Sequence, residues 1–517
     1  MKKYILILIY LYSFVSFSQT TFSDEFTFST SVSVKSEYSG VLSSKEYIFD
    51  GNKYMVSVKL LNTKITVQRF DSETLKEISS NSYEDLPADS KIINLTRTND
   101  KIILFYSTSF KSGNTIISAR AVNNIDGTLL APVKCIESIG RIAYFQFFQS
   151  IDKSKILIQY RKIPVNKLDK LNFDVLGFCS INSNLKVLSG TEVKMPFTEN
   201  IFKPKTFGIT NSGSIFLLAI NLEINKIDLR EITTGIAKKI PTEDLDSIFY
   251  KLKFNSVKMT ENSEGNLIFN GFLMNGLDNK SELTGRGMSF SKDENVNGLF
   301  FFEISQSGKL IKKTIYEFPI TLLNQNESNS SKNINNVNEK NDYAGITNLQ
   351  ITNVTLNADE SILITGTQVK FNGMADFSLG HIIIYKIDNL GSLSWIIKIP
   401  RHEQAVSYFR YEFDLYQHEN AIYILFPDVS KNNNINQIDA PQGYTEVSDS
   451  RNIILYKIDL TSGKYIRKTL IDINNINGLN CENYFVYNYV LVSPTEIIRE
   501  VDAGKEKTVL VKMKLNE

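Results

Sequence analysis

One pattern of apolar and polar positions recurs along the chain: a continuous apolar run, a short polar turn, then a second strand of mixed character. It is clearest at residues 298–318, 381–399 and 452–471. Most copies follow two further strand-like runs joined by a tight turn, such as Gly-Asn at 265–266. Weaker copies occupy residues 63–82, 114–136, 174–195 and 226–240, and a half-copy occupies 507–515. The repeating unit is four antiparallel strands over roughly 50–80 residues, which predicts the blade of a β-propeller.

The third strand of each unit is apolar without alternation, as at residues 382–385 and 453–456. A strand has this pattern when both faces of its sheet are covered, and blades that stack face to face around an axis meet that condition. The fourth strands are rich in lysine, as at 309–313 and 464–468, and lysine protects an outer sheet edge against pairing with another chain. The pattern therefore favours a propeller over a two-layered sandwich.

The number of third strands predicts the number of blades. There are eight, and the eighth, at 507–515, has no fourth strand after it. Residues 26–34 have strand character but no partner of their own, so we expect them to complete the last blade and close the ring. We predict an all-β fold, a single β-propeller of eight four-stranded blades. Seven blades is the alternative, if one weak copy has another role.

Residues 380–395 combine an apolar run, Lys-Ile-Asp, Leu-Gly and then Trp. Lys-Ile-Asp returns at 457–459, and glycine occupies the turn again at Gly308 and Gly463. This arrangement resembles the blade repeat of secreted Bacteroidetes β-propeller repeat proteins, which runs apolar-Lys-apolar-Asp, a Gly turn and then Trp. Only Trp395 keeps the tryptophan, so the chain resembles a diverged member. The resemblance implies a propeller fold and an exported location, and it implies no activity.

The N-terminus has the features of a signal peptide. Lys2 and Lys3 precede a short apolar run, and small residues at Ser16 and Ser18 stand where a signal peptidase reads the chain. We therefore predict a signal peptide at 1–18 and a propeller over 19–517, without an integral membrane segment after cleavage. The chain ends on a blade strand with no sorting domain after it, so among exported locations we favour the periplasm over the extracellular space.

Charge and cysteine content narrow the possible partners. The full chain has 57 Lys and Arg against 56 Asp and Glu, a formal charge of +1. This balance gives no electrostatic reason to expect nucleic acid as a partner. Cys135, Cys179 and Cys481 are far apart and odd in number, which argues against a disulfide framework or a zinc knuckle. We expect them to be buried thiols.

Long connections are concentrated in one part of the repeat. In a four-stranded blade, the second-to-third and the blade-to-blade connections leave the same rim. The insertions at 274–297, 368–380, 428–451 and 319–345 all belong to these two classes, in blades 5 to 7. Such loops commonly carry binding chemistry, so this rim is the predicted working surface. Residues 323–342 are rich in Asn and Ser, which predicts a disordered loop.

No catalytic or metal-binding motif appears, so we predict no catalytic residues, no metal and no cofactor. His402, beside Glu403, is a possible general base, although a surface histidine accounts for it as well. Acidic pairs in the loops are compatible with a glycosidase or lyase, but sequence does not give their separation across the ring. The candidate binding residues on the rim are Arg286, Lys292, Asp293, Glu294, Asp376, Arg401, His402, Glu403, Asp439 and Glu446.

These observations leave three functional hypotheses. The first is a non-catalytic propeller that binds a protein or a glycan, or acts as a scaffold, through the long-loop rim of blades 5 to 7. The second is a carbohydrate-active enzyme, a glycosidase or a lyase, built on a propeller. The third is an accessory subunit of an outer-membrane complex. The scarcity of catalytic residue types favours the first.

Overall fold

The chain folds into eight antiparallel sheets arranged as a ring. The computed structural model describes residues 26–30, 44–110, 113–163, 173–198, 201–221, 223–224, 226–242, 253–274, 295–339, 344–371, 377–405, 413–435, 439–443, 451–481, 489–503 and 508–516. Within this part of the chain, each sheet has a path of four strands, and two sheets carry one short extra strand. The prediction of an all-β, eight-bladed propeller is confirmed.

The first four blades follow one another along the chain. Their strands are β2 (Ser44–Phe49), β3 (Tyr54–Leu61), β4 (Lys64–Asp71), β5 (Glu77–Tyr83), β6 (Ser90–Arg97), β7 (Ile102–Ser109), β8 (Thr115–Val122), β9 (Val133–Ser138), β10 (Ile142–Gln149), β11 (Lys155–Lys162), β12 (Phe173–Asn182), β13 (Val187–Thr198), β14 (Phe202–Ile209), β15 (Ile215–Asn221), β16 (Lys226–Thr233) and β17 (Ile236–Ile240). The first strand of each blade is an edge strand of its sheet, and the first strands of blades 8 and 1, of blades 1 and 2, and of blades 3 to 6 in turn contact one another, so these strands lie on the inner side of the ring.

Blades 5 to 8 continue the same order, with two short helices between blades 5 and 6. Their elements are β18 (Lys253–Glu261), β19 (Leu267–Met274), β20 (Asn295–Ile304), β21 (Leu310–Glu317), α1 (Ile320–Asn324), α2 (Asn329–Glu339), β22 (Ile346–Thr347), β23 (Leu349–Leu356), β24 (Ile362–Phe371), β25 (Phe377–Ile387), β26 (Leu393–Ile399), β27 (Glu403–Ala405), β28 (Asp414–His418), β29 (Ala421–Val429), β30 (Arg451–Asp459), β31 (Tyr465–Asp472), β32 (Tyr489–Ser493), β33 (Glu496–Asp502) and β34 (Thr508–Leu515). Two 3₁₀ turns, Ser430–Asn432 and Ile473–Asn475, complete the set.

The N-terminal strand closes the ring, as predicted. Strand β1 (Phe26–Thr30) pairs antiparallel with β34 and becomes the outermost strand of blade 8, with Phe26 opposite Leu515. Phe26 is buried and meets the rings of Tyr416 and Tyr423 edge-on, at centroid distances of 6.3 and 6.0 Å. Both tyrosines belong to blade 7, so the first strand also joins two blades. Residues 31–34 of the predicted strand lie outside the described residues.

The core is divided among the blade interfaces. The buried apolar residues form eight clusters in the described part of the chain, and each cluster lies between two neighbouring blades. Consecutive residues of β25 show why the third strands are apolar throughout. Ile382 and Ile384 pack towards blade 7, whereas Ile383 and Tyr385 pack towards blade 5, and all four are fully buried. Each sheet is therefore covered on both faces, as the sequence pattern indicated.

The aspartate of the repeat ends the third strand. In blade 6, Asp388 Oδ1 accepts hydrogen bonds from the backbone N–H groups of Leu390 at 3.0 Å and Ser392 at 2.7 Å. In blade 7, Asp459 Oδ1 accepts from the N–H and the hydroxyl of Ser462, both at 2.7 Å. An aspartate that bonds to the backbone ahead of it holds a tight turn. The aspartates of the two Lys-Ile-Asp segments thus hold the turn that follows the third strand.

The two rims of the ring differ. On one rim, the turns between first and second strands are short and bond to one another. Asn99 Nδ2 donates to the carbonyl of Asp152 in the next blade at 2.7 Å, and Asp152 N–H donates to Asn211 Oδ1 in the blade after that at 3.1 Å. The N–H of Asn211 in turn bonds to the Glu261 carboxylate of blade 5. We call this side the short-turn rim.

The opposite side, which we call the long-loop rim, carries α1, α2 and the Ser430–Asn432 turn. There β20 and β25 extend to pair with the short strands β22 and β27. Helix α2 lies within residues 323–342, for which we predicted a disordered loop, and residues 340–342 lie outside the described residues. Leu322 and Leu323 are buried, and Asn335 Nδ2 donates to Asn324 Oδ1 at 3.1 Å, so a few contacts hold a segment that is polar on average.

None of the described helices is both long and apolar enough to cross a bilayer.

Cys135, Cys179 and Cys481 are free and buried, which confirms their interpretation as buried thiols. Cys179 Sγ lies 3.5 Å from the carbonyl oxygen of Cys135 across the interface between blades 2 and 3. Burial raises the pKa of Cys135 and of Cys481 to about 12 in each case. A thiol with so high a pKa is a poor nucleophile.

Candidate functional site

Four of the predicted rim residues are described, and they lie on the connections of blades 6 and 7. Glu403 begins β27 and pairs with Leu379, which places it beside the extended end of β25. Arg401 is buried and forms an ion pair with Glu403, whereas His402 is exposed. Asp439 lies in the blade 7 connection with its side chain exposed. The other six candidates lie outside the described residues: Arg286, Lys292, Asp293, Glu294, Asp376 and Glu446.

Glu327, between α1 and α2, is the centre of a charged cluster that the sequence did not predict. Its Oε1 accepts from Lys398 Nζ at 2.8 Å and lies 3.0 Å from His381 Nε2. Lys398 is completely buried and also donates to the carbonyl of Leu323 at 3.0 Å. These contacts fix the helical connection onto the third and fourth strands of blade 6.

Two opposing effects set the charge state of Glu327. Burial raises its pKa, but the hydrogen bond and charge of His381 and the charge of Lys398 outweigh burial and lower the pKa to about 2. Glu327 is therefore a carboxylate at neutral pH, and it supplies the negative charge that the buried Lys398 ammonium requires.

A second cluster fixes the connection of blade 7. Asn432 Nδ2 donates to Asp428 Oδ1 at 2.7 Å and to the carbonyl of Gln442 at 2.9 Å, while Gln442 N–H donates back to Asn432 Oδ1 at 2.9 Å. Arg467 Nη2 donates to the carbonyl of Asn432 at 2.8 Å. The loop is thus tied to both the second and the fourth strand of its blade.

Asp428 has a pKa well above its ordinary value. Burial raises its pKa to about 6, and the nearby charge of Glu403 adds to the effect, while Asn432 and Arg467 oppose it only in part. Arg467 Nη2 lies 3.5 Å from Asp428 Oδ2, too far for a strong charge-assisted hydrogen bond. Both carboxyl groups already have protein partners, Glu403 through Arg401 and Asp428 through Asn432.

The connections also contact one another. Asn326 Nδ2, beside Glu327, donates to the carbonyl of Asp439 at 2.9 Å, which joins the blade 5–6 connection to the blade 7 loop. Gly443 of the same loop lies against His402, because a Cβ added there would be 2.9 Å from the imidazole Cε1. The structure thus brings Arg401, His402, Glu403 and Asp439 onto one continuous part of the long-loop rim.

Within the described ranges, no group of three or more His, Cys, Asp or Glu residues is arranged to hold a metal ion. The arrangement on the rim is a set of loops fixed by buried charges, with exposed groups between them. Such a surface is suited to recognition, because its geometry is set before a partner arrives.

No protein-family model and no curated protein matches this chain. Several solved structures, however, do match it. The WD40 domain of SCAP from fission yeast is 7% identical, with 96% of this chain and 99% of that chain covered and a TM-score of 0.38. A protein of unknown function from Bacteroides caccae is 11% identical, covering 67% and 93%, with a TM-score of 0.29. Prolyl oligopeptidase B from Galerina marginata is 9% identical, covering 83% and 51%, with a TM-score of 0.37. Similarities this low carry no information about function.

Proposed function

We propose that this chain is a non-catalytic binding or scaffold protein that recognises a protein or a glycan through the long-loop rim of blades 5 to 7. The observation that supports the proposal most directly is the contact between Glu327 and Lys398, at 2.8 Å. A loop that only joins two blades has no need of a buried ion pair, because removing two charges from water is costly. A loop that must keep one shape for a partner benefits from such an anchor.

The location of the protein is a second part of the proposal. The N-terminal sequence and the blade repeat support export, a Bacteroidetes-type origin and a periplasmic location, where an outer-membrane assembly is a possible partner. Sequencing of the mature N-terminus tests this, and we expect it to begin at Gln19. A mature chain that retains residues 1–18, or one found in the cytoplasmic fraction, would contradict the export proposal.

Site-specific photo-crosslinking in the native cell tests the binding surface. A photoreactive amino acid is placed singly at three exposed positions of the long-loop rim: Ile334, His402 and Lys431. Matched positions on the short-turn rim are Leu390 and Glu419, which are also exposed. We expect a defined crosslinked species from the first set alone. Crosslinks that come only from the second set, or from neither set, would refute the rim as the binding surface.

A further inference from the structure

Blade 8 carries a buried charged residue on each of its two faces. Arg499 and Glu500 are consecutive residues of β33, so their side chains point to opposite faces of the sheet, and both are buried. Arg499 lies on the same face as Ile497, which packs against blade 7, and it forms an ion pair with the buried Asp414 at the start of β28. Glu500 lies on the same face as Ile498, which packs against blade 1.

Glu500 is held between two lysines of blade 1. Its Oε1 lies 3.1 Å from Lys45 Nζ and its Oε2 lies 2.6 Å from Lys59 Nζ, and all three side chains are almost completely buried. Lys45 in β2 and Lys59 in β3 are direct cross-strand partners. Like charges that oppose each other directly across two strands destabilise a sheet. This face of blade 1 therefore requires the carboxylate that blade 8 supplies.

These contacts distinguish the two interfaces of blade 8 from the rest of the ring. Within the described part of the chain, the buried ion pairs that join strands of different blades all involve blade 8. Other buried pairs either lie within one blade, as Arg161 and Asp174 do in blade 3, or hold a connection, as Glu327 does with Lys398. The charges on blade 8 thus coincide with the place where the ring closes.

Apolar faces alone do not specify which sheet fills the last gap of the ring, because apolar burial is non-directional. The buried charges add that information. The gap presents the carboxylate of Asp414 on its blade 7 side and two lysines on its blade 1 side, and blade 8 presents the opposite charge to each. A sheet in this gap with either charge reversed would leave buried charges without their counter-charge, which is strongly destabilising.

We propose that the gap between blades 7 and 1 is a charge-selective docking site for the closing blade, and that it accepts blade 8 of a second copy of this chain when the charges of that blade match and those of its own blade do not. Strands β32 to β34 follow the other seven blades along the chain, so a single connection has to cross between two copies. Exchange of an identical element is a low-cost route to a dimer. The site does not depend on the function proposed for the long-loop rim.

Charge-reversed variants of the full chain test this site. Arg499→Asp places two carboxylates against each other at the interface of blades 7 and 8, and Asp414→Arg places two guanidinium groups there. We expect each variant alone to yield about tenfold less monomer than the wild type in size-exclusion chromatography with light scattering. The double variant, Asp414→Arg with Arg499→Asp, again has opposite charges at this interface, and we expect it to recover the monomer.

Refolding the two single variants together tests whether the gap accepts the blade of a second copy. Exchange of blade 8 pairs the native arginine of one copy with the native aspartate of the other, and it pairs the two substituted residues with each other. We expect a heterodimer, detected with two different affinity tags, at about ten times or more the dimer yield of either variant refolded alone.

Arg161→Asp and Asp174→Arg are the matched control pair. They reverse a buried ion pair of similar exposure, but both residues belong to blade 3, so exchange of blade 8 does not match their charges. We expect these two variants refolded together to give no more dimer than either gives alone. A monomeric Arg499→Asp chain, a double variant no more monomeric than the single variants, or a mixture with no more heterodimer than the control pair would overturn the proposal.

Discussion

Trp395 of blade 6 lies directly against Gly463 in the turn of blade 7. A Cβ added to Gly463 would be 2.6 Å from Cγ of the indole, and Gly463 has φ +69°. The indole Nε1 donates to the carbonyl of Leu460 in the same turn at 3.1 Å. The glycine of one repeat and the tryptophan of the preceding repeat are thus two halves of one contact between blades.

This contact predicts that Gly463→Ala destabilises the protein more than an alanine in an equivalent turn. Gly235, in the matching turn of blade 4, has φ +73° and open space where an added Cβ would lie. Both alanines are strained at positive φ, by about 1–2 kcal/mol. Only Gly463→Ala must also displace the indole, which adds about 1–3 kcal/mol.

Guanidinium denaturation followed by circular dichroism measures the difference between the two variants. Trp395 is the single tryptophan, so its native emission also reports the contact directly. We expect the emission to change in Gly463→Ala and to stay as in the wild type in Gly235→Ala. Equal shifts of the denaturation midpoint in both variants would show that the indole contact contributes nothing.

Ring closure gives a second prediction, at Phe26. The ring is buried between blades 7 and 8, so Phe26→Ala should cost about 3–5 kcal/mol. We expect β1 to detach and leave β34 as an exposed edge. Hydrogen exchange of residues 26–30 and 508–515 measures this. Thr27→Ala, at an exposed position of the same strand, serves as the control and should leave exchange unchanged. Equal exchange in both variants would contradict the role of Phe26.

The Glu327 cluster predicts a pH-dependent anchor on the long-loop rim. The folded pKa of about 2 is below the ordinary value of 4.5, so the carboxylate contributes its stabilisation above about pH 4.5 and loses it as the pH falls towards 2. We therefore expect hydrogen exchange in residues 320–339 to accelerate, relative to the intrinsic rate, as the pH falls from 4.5 towards 2.

Glu327→Gln should behave at neutral pH as the wild type does in acid, because Lys398 is then buried without its carboxylate. Breaking a buried pair in this way costs about 3–5 kcal/mol. The double variant Glu327→Gln with Lys398→Met removes both charges and should recover much of the loss. If the single variant exchanges as slowly as the wild type at pH 7, the ion pair does not anchor the connection.

The fold was predictable because each blade is marked by a local pattern of apolar and polar residues, and this pattern repeats along the chain. Continuous apolar third strands such as 382–385 require two covered faces, and eight copies of that requirement admit few arrangements. The unpaired run at 26–34 and the missing fourth strand after 507–515 together indicated ring closure. The same topology placed the long connections on one rim, since strand order alone decides where each connection leaves a blade.

The site was less predictable, because its contacts join residues far apart along the chain. Glu327 and Lys398 are separated by 71 positions, and no local spacing marks such a pair. Average composition also does not indicate that Glu327 attaches this polar connection to blade 6 through Lys398.

Asp428 gives a pH dependence of opposite sign to that of Glu327. Its folded pKa of about 6 is above the ordinary value of 3.8, so between these values the folded protein holds a proton that the unfolded chain has lost. Stability should therefore fall as the pH rises from about 4 to about 6, by an amount of up to about 3 kcal/mol. Below pH 3.8 both states are protonated and this penalty is absent.

Asp428→Asn removes this titration while keeping an amide of similar shape beside Asn432. Arg467 keeps its hydrogen bond to the carbonyl of Asn432 at 2.8 Å, so its guanidinium is still satisfied in part. Denaturation midpoints of the variant and the wild type, measured every half pH unit from about 3.5 to 7 to span both pKa values, should diverge in favour of the variant as the pH rises. A constant difference across that range would mean that the pKa of Asp428 is the same in the folded and the unfolded chain, and that Arg467 and Asn432 fully offset the cost of its burial.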